Sequence, residues 1–407
     1  MSNDAIDIGD ALETLVHQFS DPWSFLRELI QNAIDAGSPE IDVRVEHQPP
    51  QAGGDGDDPG LMLVEVVDAG DGMDRQIIDT RLTRLFSSAK DGDYTKIGRF
   101  GIGFVSVFAI DPDLVCVDTG RTGEYWRVLF RKDRSFQRIA LEHPTEGTTI
   151  SIYKRASAGE VEAARARARE VLEYWCKHAR VEVRLDGEPI SRPMSLGPRA
   201  RCVVEHEEEG TRLLLGYVPE RRSLRGYYHG GLTLHEERDD GLPHVAFKID
   251  SRYIEHTLTR DDVIRDDNFE KAMKIVAELA RTRLVENLVD ALERLASDDD
   301  PRARQEQEFL RERLLTVRTS VPDPPKSVLR RAFIPAAAPR GGRALVSLDE
   351  VRRQIKRTWC APQPSPVTDA LVGRGDLVLL YPEDSALEAV LTEHCGRAPQ
   401  PAKSLCT

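Results

Sequence analysis

A chain of 407 residues, 40% of them apolar, is too long for one ordinary hydrophobic core and predicts a multidomain soluble protein. Lys and Arg number 56 against 69 Asp and Glu, a net charge of -13, so the overall field repels phosphate backbones and anionic lipid and disfavours nucleic-acid or membrane-surface binding. Six scattered cysteines without a CxxC pair, an N-terminus without basic and apolar leader regions, and no bilayer-length apolar run predict free thiols in a reducing cytoplasm.

Leu12, Leu15, Val16 and Phe19 recur at helical spacing, and Asp21-Pro22 then offers a cap and a first-turn proline for a second helix that Gly37 stops. Ile41 to Glu46 and Leu63 to Val67 read as strands joined by a Gly, Asp and Pro-rich loop, with further strand signals at Leu114–Val117, Tyr125–Phe130 and Thr148–Tyr153. Residues 1 to about 155 are therefore expected to form an α/β sandwich. From Glu160 to His178 a helix leads into VEVRLDGEPI, read as the opening of a second domain with strands at LLLGYV, GGLTLHE and HVAFKID. Helical tracts follow from about Asn268 to Ala296 and on to about Val317. The Pro/Ala-rich stretches near Val321–Ser327 and Ile334–Gly342 read as a linker. A last α/β unit is expected, with Val346–Trp359 helical, Leu377–Tyr381 a buried strand and Ser385–His394 helical.

Three segments carry chemistry. In FLRELIQNAIDA the apolar positions wrap most of a helix, while Glu28, Asn32 and Asp35 fall at i, i+4 and i+7 on one stripe. Taken alone, that stripe is more simply a solvent face. VEVVDAGDGMD is an apolar strand ending in Asp68, and Gly70 and Gly72 let the backbone turn tightly there. A carboxylate in that place can accept a hydrogen bond from an exocyclic amine, although Asp-x-Gly-x-Gly also describes an ordinary turn. KIGRFGIGF places Gly98, Gly101 and Gly103 before an apolar helical run, and backbone N–H groups at such a turn bind phosphates. Its GxxGxG spacing matches neither the dinucleotide fingerprint nor the P-loop.

Together, in this order, the segments resemble the GHKL ATPase superfamily and within it the heat shock protein 90 chaperone family. The resemblance implies an α+β architecture: a two-layer α/β sandwich of the Bergerat ATP-binding type over residues 1–155, a middle domain with a catalytic arginine loop over 156–320, a linker over 321–343 and a small α/β unit over 344–407. It implies ATP and Mg²⁺ as ligands, slow hydrolysis, client proteins as partners and an ATP-dependent homodimer. By position, Glu28 would activate the attacking water, with Arg27 orienting it, and Asn32 would hold Mg²⁺. Asp35 and Gly72 would join the cofactor site, Asp68 would recognise the adenine amine, and Met73, Phe104 and Thr148, which follows Gly147 in EGTTISI, would line the base pocket. Gly101 and Gly103 would bring main-chain donors to the phosphates. Arg81 to Ile97 would be a lid, with Lys90 either a phosphate contact or a solvated lysine. Arg99 departs from the family's glutamine and would add a cation near the triphosphate. In TLTRDD, Arg260 would reach the γ-phosphate or, alternatively, pair with Asp261 or Asp262 at the surface. The family's C-terminal dimerisation domain has no counterpart here, so the chain reads as a shortened relative or a fragment. A nucleotide-gated scaffold of a bacterial regulatory or defence assembly is the second reading. A DNA-processing machine is disfavoured by charge, and a sensor kinase by the lack of a phosphoacceptor helix. AARARARE reads as a solvated helix face, and Cys116 and Cys176 as core thiols.

Overall fold

The computed structural model describes residues 21–50, 59–83, 102–255, 257, 262–296, 298, 300–320 and 329–405. Its contacts divide the chain into two units, Met1–Met194 with Tyr228–Leu234 and Glu255–Val263, and Ser195–Tyr227 with His235–Ile254 and Ile264–Thr407.

In the first unit Asp21 caps a 3-10 turn, Pro22–Ser24, by accepting from the Trp23 amide at 3.1 Å, and the chain continues into α1, Phe25–Asp35. Gly37, at φ 78°, ends the helix in the left-handed conformation that glycine adopts without steric cost. The strands are β1 (Glu40–Gln48), β2 (Leu61–Asp68), β3 (Leu114–Arg121), β4 (Glu124–Arg131), β5 (Phe136–Ala140) and β6 (Thr148–Arg155). Helix α2 (Ala158–Trp175), opened by a Ser157/Glu160 capping box, precedes β7 (Glu182–Leu185) and β8 (Glu188–Pro189). One eight-stranded sheet runs β5-β4-β3-β6-β2-β1-β7-β8. Met62, Val64 and Val66 of β2 and Ile41, Val43 and Val45 of β1 are buried at every second position, the alternation of a sheet covered on one face. Phe25, Leu26, Leu29 and Ile30 of α1 and Ala168, Val171 and Leu172 of α2 join the same core.

The expected break at residue 155 is not observed. VEVRLDGEPI adds β7 beside β1 in parallel, Glu40 opposite Glu182 and Val43 opposite Leu185, so α2 and β7–β8 complete the first sheet. A βα connection of this length is what a parallel pairing needs, and it is easily mistaken for a new domain. Part of GGLTLHE also belongs to the first unit: Leu232 enters its core, and Thr233 Oγ1 donates to the Tyr174 carbonyl at 2.7 Å.

The second unit holds β9 (Arg201–Glu208), β10 (Thr211–Tyr217), β11 (Ser223–His229), β12 (Leu232–Asp239) and β13 (Val245–Ser251) in the order β12-β11-β13-β10-β9, apart from the hairpin tip assigned to the first unit. Helices α3 (Asp267–Arg281), α4 (Arg283–Leu295) and α5 (Pro301–Ser320) follow, the long helical tract being interrupted at Thr282. The last sheet, β15-β14-β17-β16-β18, is built from β14 (Ala332–Ala338), β15 (Gly342–Ser347), β16 (Thr358–Ala361), β17 (Leu377–Leu380) and β18 (Gln400–Pro401), with α6 (Leu348–Gln354), α7 (Pro366–Gly373) and α8 (Ala386–Cys395) interleaved.

Two expectations fail in this sheet. The 321–343 linker contains β14, in which Phe333, Ile334 and Ala336 are buried. Its small residues and one proline have linker composition, yet they pair with Gly342–Ser347. Within Val346–Trp359 only Leu348–Gln354 is α-helical, because Ser347 ends β15 and caps α6 through the Glu350 amide at 3.2 Å. Cys116 and Cys176 are buried as expected, and burial pushes the Cys176 thiol up to about 12.

Candidate nucleotide site

The site starts from the period of β2. Because Met62, Val64 and Val66 face the core, Asp68 at the strand end faces the same way and is only 9% exposed. In the antiparallel register Asp68 lies opposite Thr148 of β6, and Thr148 lies opposite Thr119 of β3. These side chains form one buried polar rung across three strands, with Thr148 at 7% and Thr119 at 0% exposure.

The rung is hydrogen-bonded. Thr119 Oγ1 lies 3.1 Å from Thr148 Oγ1, donates to the Gly147 carbonyl at 3.1 Å and accepts from the Met73 amide at 2.9 Å. The Asp68 carboxylate accepts from the Gly70 amide at 2.9 Å. Burial raises the Asp68 carboxyl above the ordinary carboxylate range, and the backbone amides of Gly70 and Thr148 restrain the shift. Such a carboxylate is short of solvation and primed to accept a donor.

Glycines set the spacing of this floor. Gly72 has φ 65°, and a Cβ there would run into the Gly120 carbonyl. Gly147, at φ 63°, would drive its Cβ into the Asp68 carbonyl. The loop after Asp68 is also tied to the end of α1: the Ala69 amide donates to Ser38 Oγ at 2.9 Å and the Asp71 amide to the Ala36 carbonyl at 2.8 Å.

On α1, Glu28 is 5% exposed, whereas Asn32 and Asp35 are exposed, so the stripe leads from the interior toward solvent. A Cβ at Gly103, in the short helix Ile102–Val105, would lie 2.8 Å from Glu28 Oε2. A larger residue there would push the Glu28 carboxylate aside. At the outer end of the stripe burial raises the Asp35 carboxyl, and His229 opposes the rise.

The structure thus brings Asp68, Gly72, Met73 and Thr148 together through the rung, and Glu28 with Gly103. Phe104, expected to line the base pocket, is 5% exposed and packs on Phe130 with ring centroids 5.1 Å apart. Arg27, expected to orient Glu28, lies against an aromatic ring. Its guanidinium lies 4.3 Å over the Trp175 ring, and burial lowers its pKa to about 10. Lys90, Gly98, Arg99, Gly101, Arg260 and the lid after Thr83 lie outside the described residues. Thr119 and Ser38 are contributors that sequence reading missed. A threonine within a strand carries no mark of a pocket, whereas Ser38, just after the helix-ending Gly37, offered a weak one.

Residues 20–145 match the family described as histidine kinase-, DNA gyrase B- and HSP90-like ATPase. The chaperone protein HtpG of Rhodospirillum rubrum is 30% identical over 231 residues, covering 50% of this chain and 36% of its own length. HtpG of Actinobacillus pleuropneumoniae is 29% identical over 237 residues, covering 50% and 37%. HtpG of Klebsiella pneumoniae is 24% identical over 490 aligned positions, covering 97% of this chain and 75% of its own. The first two alignments therefore span little more than a third of those relatives. No helix among the described residues is long and apolar enough to cross a membrane. Residues 20–145 thus match the histidine kinase-, DNA gyrase B- and HSP90-like ATPases, in a chain that resembles the heat shock protein 90 proteins.

Proposed function

We propose that this chain binds ATP with Mg²⁺ and hydrolyses it slowly, as an ATP-dependent chaperone-like protein in which nucleotide drives lid and domain closure. The observation that carries the reading is the buried rung Asp68–Thr148–Thr119, because it fixes a desolvated acceptor beside a turn that glycine alone can make. Asp68 accepts the exocyclic amine of adenine, and Met73 and Thr148 bound the base. Gly101 and Gly103 open main-chain amides toward the phosphates, assisted by Lys90. Asn32 supplies a hard oxygen to Mg²⁺, with Asp35 one turn further on; the bound ion neutralises phosphate charge. Glu28, enclosed against Gly103, takes a proton from the attacking water. Arg260 stabilises the charge that develops on the transferred group.

Support comes from the donor set: a buried acceptor for the base, an amide oxygen for a hard cation and an enclosed carboxylate for proton transfer. The names of the relatives, chaperone protein HtpG, support chaperone action; an ATP-dependent homodimer is part of the same proposal. The test is nucleotide binding and turnover by the wild type, Glu28→Ala, Asp68→Asn and Arg260→Ala. Hydrolysis requires binding without turnover in Glu28→Ala, lost binding in Asp68→Asn, and slow turnover with near-normal binding in Arg260→Ala. A wild type no faster than Glu28→Ala would replace hydrolysis with the nucleotide-gated scaffold. ATP-dependent suppression of client aggregation separates a chaperone from that scaffold.

A further inference from the structure

The last sheet of the second unit borders a cavity of its own. Strands β17, β16 and β18 are parallel neighbours in that order, Cys360 lying opposite both Leu379 and Pro401. From β16 the chain passes through α7 to β17 on one side, and from β17 through α8 to β18 on the other. The loops leaving the carboxyl ends of the neighbours β16 and β17 therefore diverge. In open parallel sheets such a switch point leaves a crevice beyond the carboxyl ends of the strands, and ligands bind there.

That crevice exists here as a cavity of about 510 Å³. Its polar lining includes Cys360, Tyr381, Glu383, Asp384, Glu388 and Lys403, and its apolar lining includes Val367 and Ala402. Tyr381 follows β17, is 4% exposed and borders the cavity. Its hydroxyl forms no hydrogen bond of good geometry among the described residues, and its neighbour is the Cys360 thiol, a weak partner. A buried hydroxyl left in this state costs stability, so it calls for a partner from the cavity. The lining charges are unequal: three carboxylates face one ammonium, and Lys403 is already paired with Glu383 at 2.6 Å. That imbalance disfavours phosphate or carboxylate guests and favours a cation.

We propose that this crevice binds a small organic cation, an amine or guanidinium carried on an apolar body, with Tyr381 and the Glu388 and Asp384 carboxylates receiving the charged head and Val367 and Ala402 the body. The site is separate from the nucleotide pocket and involves none of its residues. Cys360 is a built-in reporter, since it borders the cavity and is only partly buried.

The experiment uses the full chain and three probes of one shape: phenethylamine, neutral 2-phenylethanol and anionic 3-phenylpropionate. The rate of Cys360 carbamidomethylation is read by peptide mass spectrometry, with Cys395 as internal reference. Phenethylamine is expected to slow Cys360 saturably and leave Cys395 unchanged, and 3-phenylpropionate to protect neither. Glu388→Gln should weaken protection by up to about fivefold, the order for one partly exposed charge. Tyr381→Phe should weaken it as well, with the thermal midpoint of each variant confirming a folded chain. Equal protection by all three probes, protection by none at millimolar concentration, or protection unaltered in both folded variants would overturn the proposal.

Discussion

Thr119→Val is the sharpest test of how the nucleotide floor is held. Valine matches threonine in shape, so packing at this fully buried position is kept and only the hydroxyl is lost. That hydroxyl has one proton, given to the Gly147 carbonyl, and two lone pairs that take the Met73 amide and the Thr148 hydroxyl. In the variant Thr148 can rotate its hydroxyl, and Gly147 keeps a long contact with the Gly120 amide at 3.4 Å. The Met73 amide has no such recourse. One buried unsatisfied amide costs ~1–3 kcal/mol and the weakened carbonyl adds a fraction of that, so the loss should total ~2–3 kcal/mol. Urea unfolding followed by circular dichroism should show an earlier midpoint with unchanged slope. Because the Met73 turn borders the proposed base pocket, affinity for ATP measured by calorimetry should fall about tenfold, the equivalent of ~1.4 kcal/mol. Thr119→Ser, which keeps the hydroxyl, should recover most of the affinity. Wild-type stability and affinity in Thr119→Val, or equal damage in Thr119→Ser, would refute the rung as the element that positions the turn.

Gly72→Ala should cost ~3 kcal/mol or more by adding a left-handed alanine to a clash with the Gly120 carbonyl, whereas Gly123→Ala, at φ 82° with open space around it, should cost only ~1–2 kcal/mol; thermal midpoints compare them. Asp68→Asn should make the nucleotide-free protein more stable at pH 7, because it removes a carboxylate that burial disfavours, while abolishing ATP binding. The sign also sets the pH profile. The folded Asp68 pKa is raised, so between the unfolded value and the folded one the native state binds the extra proton. Its contribution thus turns more favourable as pH falls through that window, and ATP affinity declines over the same range as the acceptor is protonated. Arg27→Met should stay within ~1 kcal/mol of wild type, since a buried guanidinium on Trp175 is exchanged for an apolar chain of similar length, while Arg27→Ala should lose ~2–3 kcal/mol by opening a cavity. Chemical denaturation distinguishes these outcomes.

The sequence was most legible where period and cap coincide. Asp21-Pro22, the apolar stripe of α1 and Gly37 delimit one helix, and the alternation ending at Asp68 already implies that its carboxylate points inward. Glu28, Asn32 and Asp35 follow from a 3.6-residue period, but the same spacing suits a solvent face, and burial alone separates Glu28 from the other two. Less legible is whatever depends on register between distant strands. Thr119 reaches the site because β3 and β6 align it with Thr148, 29 residues away in sequence. Phe104 was read from a motif, and its contact with Phe130 on β4 likewise depends on register rather than on local sequence. The boundary at 155 failed for a related reason, since β7 pairs with a strand that began at Glu40.

The pocket divides its work between parts that tolerate different things. Glycines fix the distances: at Gly72 and Gly147 any side chain would meet a neighbouring backbone carbonyl, so the floor is set by backbone contact rather than by adjustable side chains. Such a floor keeps its shape before a ligand arrives, which lowers the ordering cost of binding. Asp68 is the opposite kind of part. It is held against its own solvation preference by β2, and the fold is less stable for it. A site that served only stability would carry asparagine there, with the Gly70 amide still bonded to a side-chain oxygen. Keeping the charged form makes sense if an incoming donor returns the lost solvation, because the same desolvation that weakens the empty fold strengthens the bond to that donor. Stability without nucleotide and affinity for nucleotide should therefore move in opposite directions at Asp68 and in the same direction at Thr119.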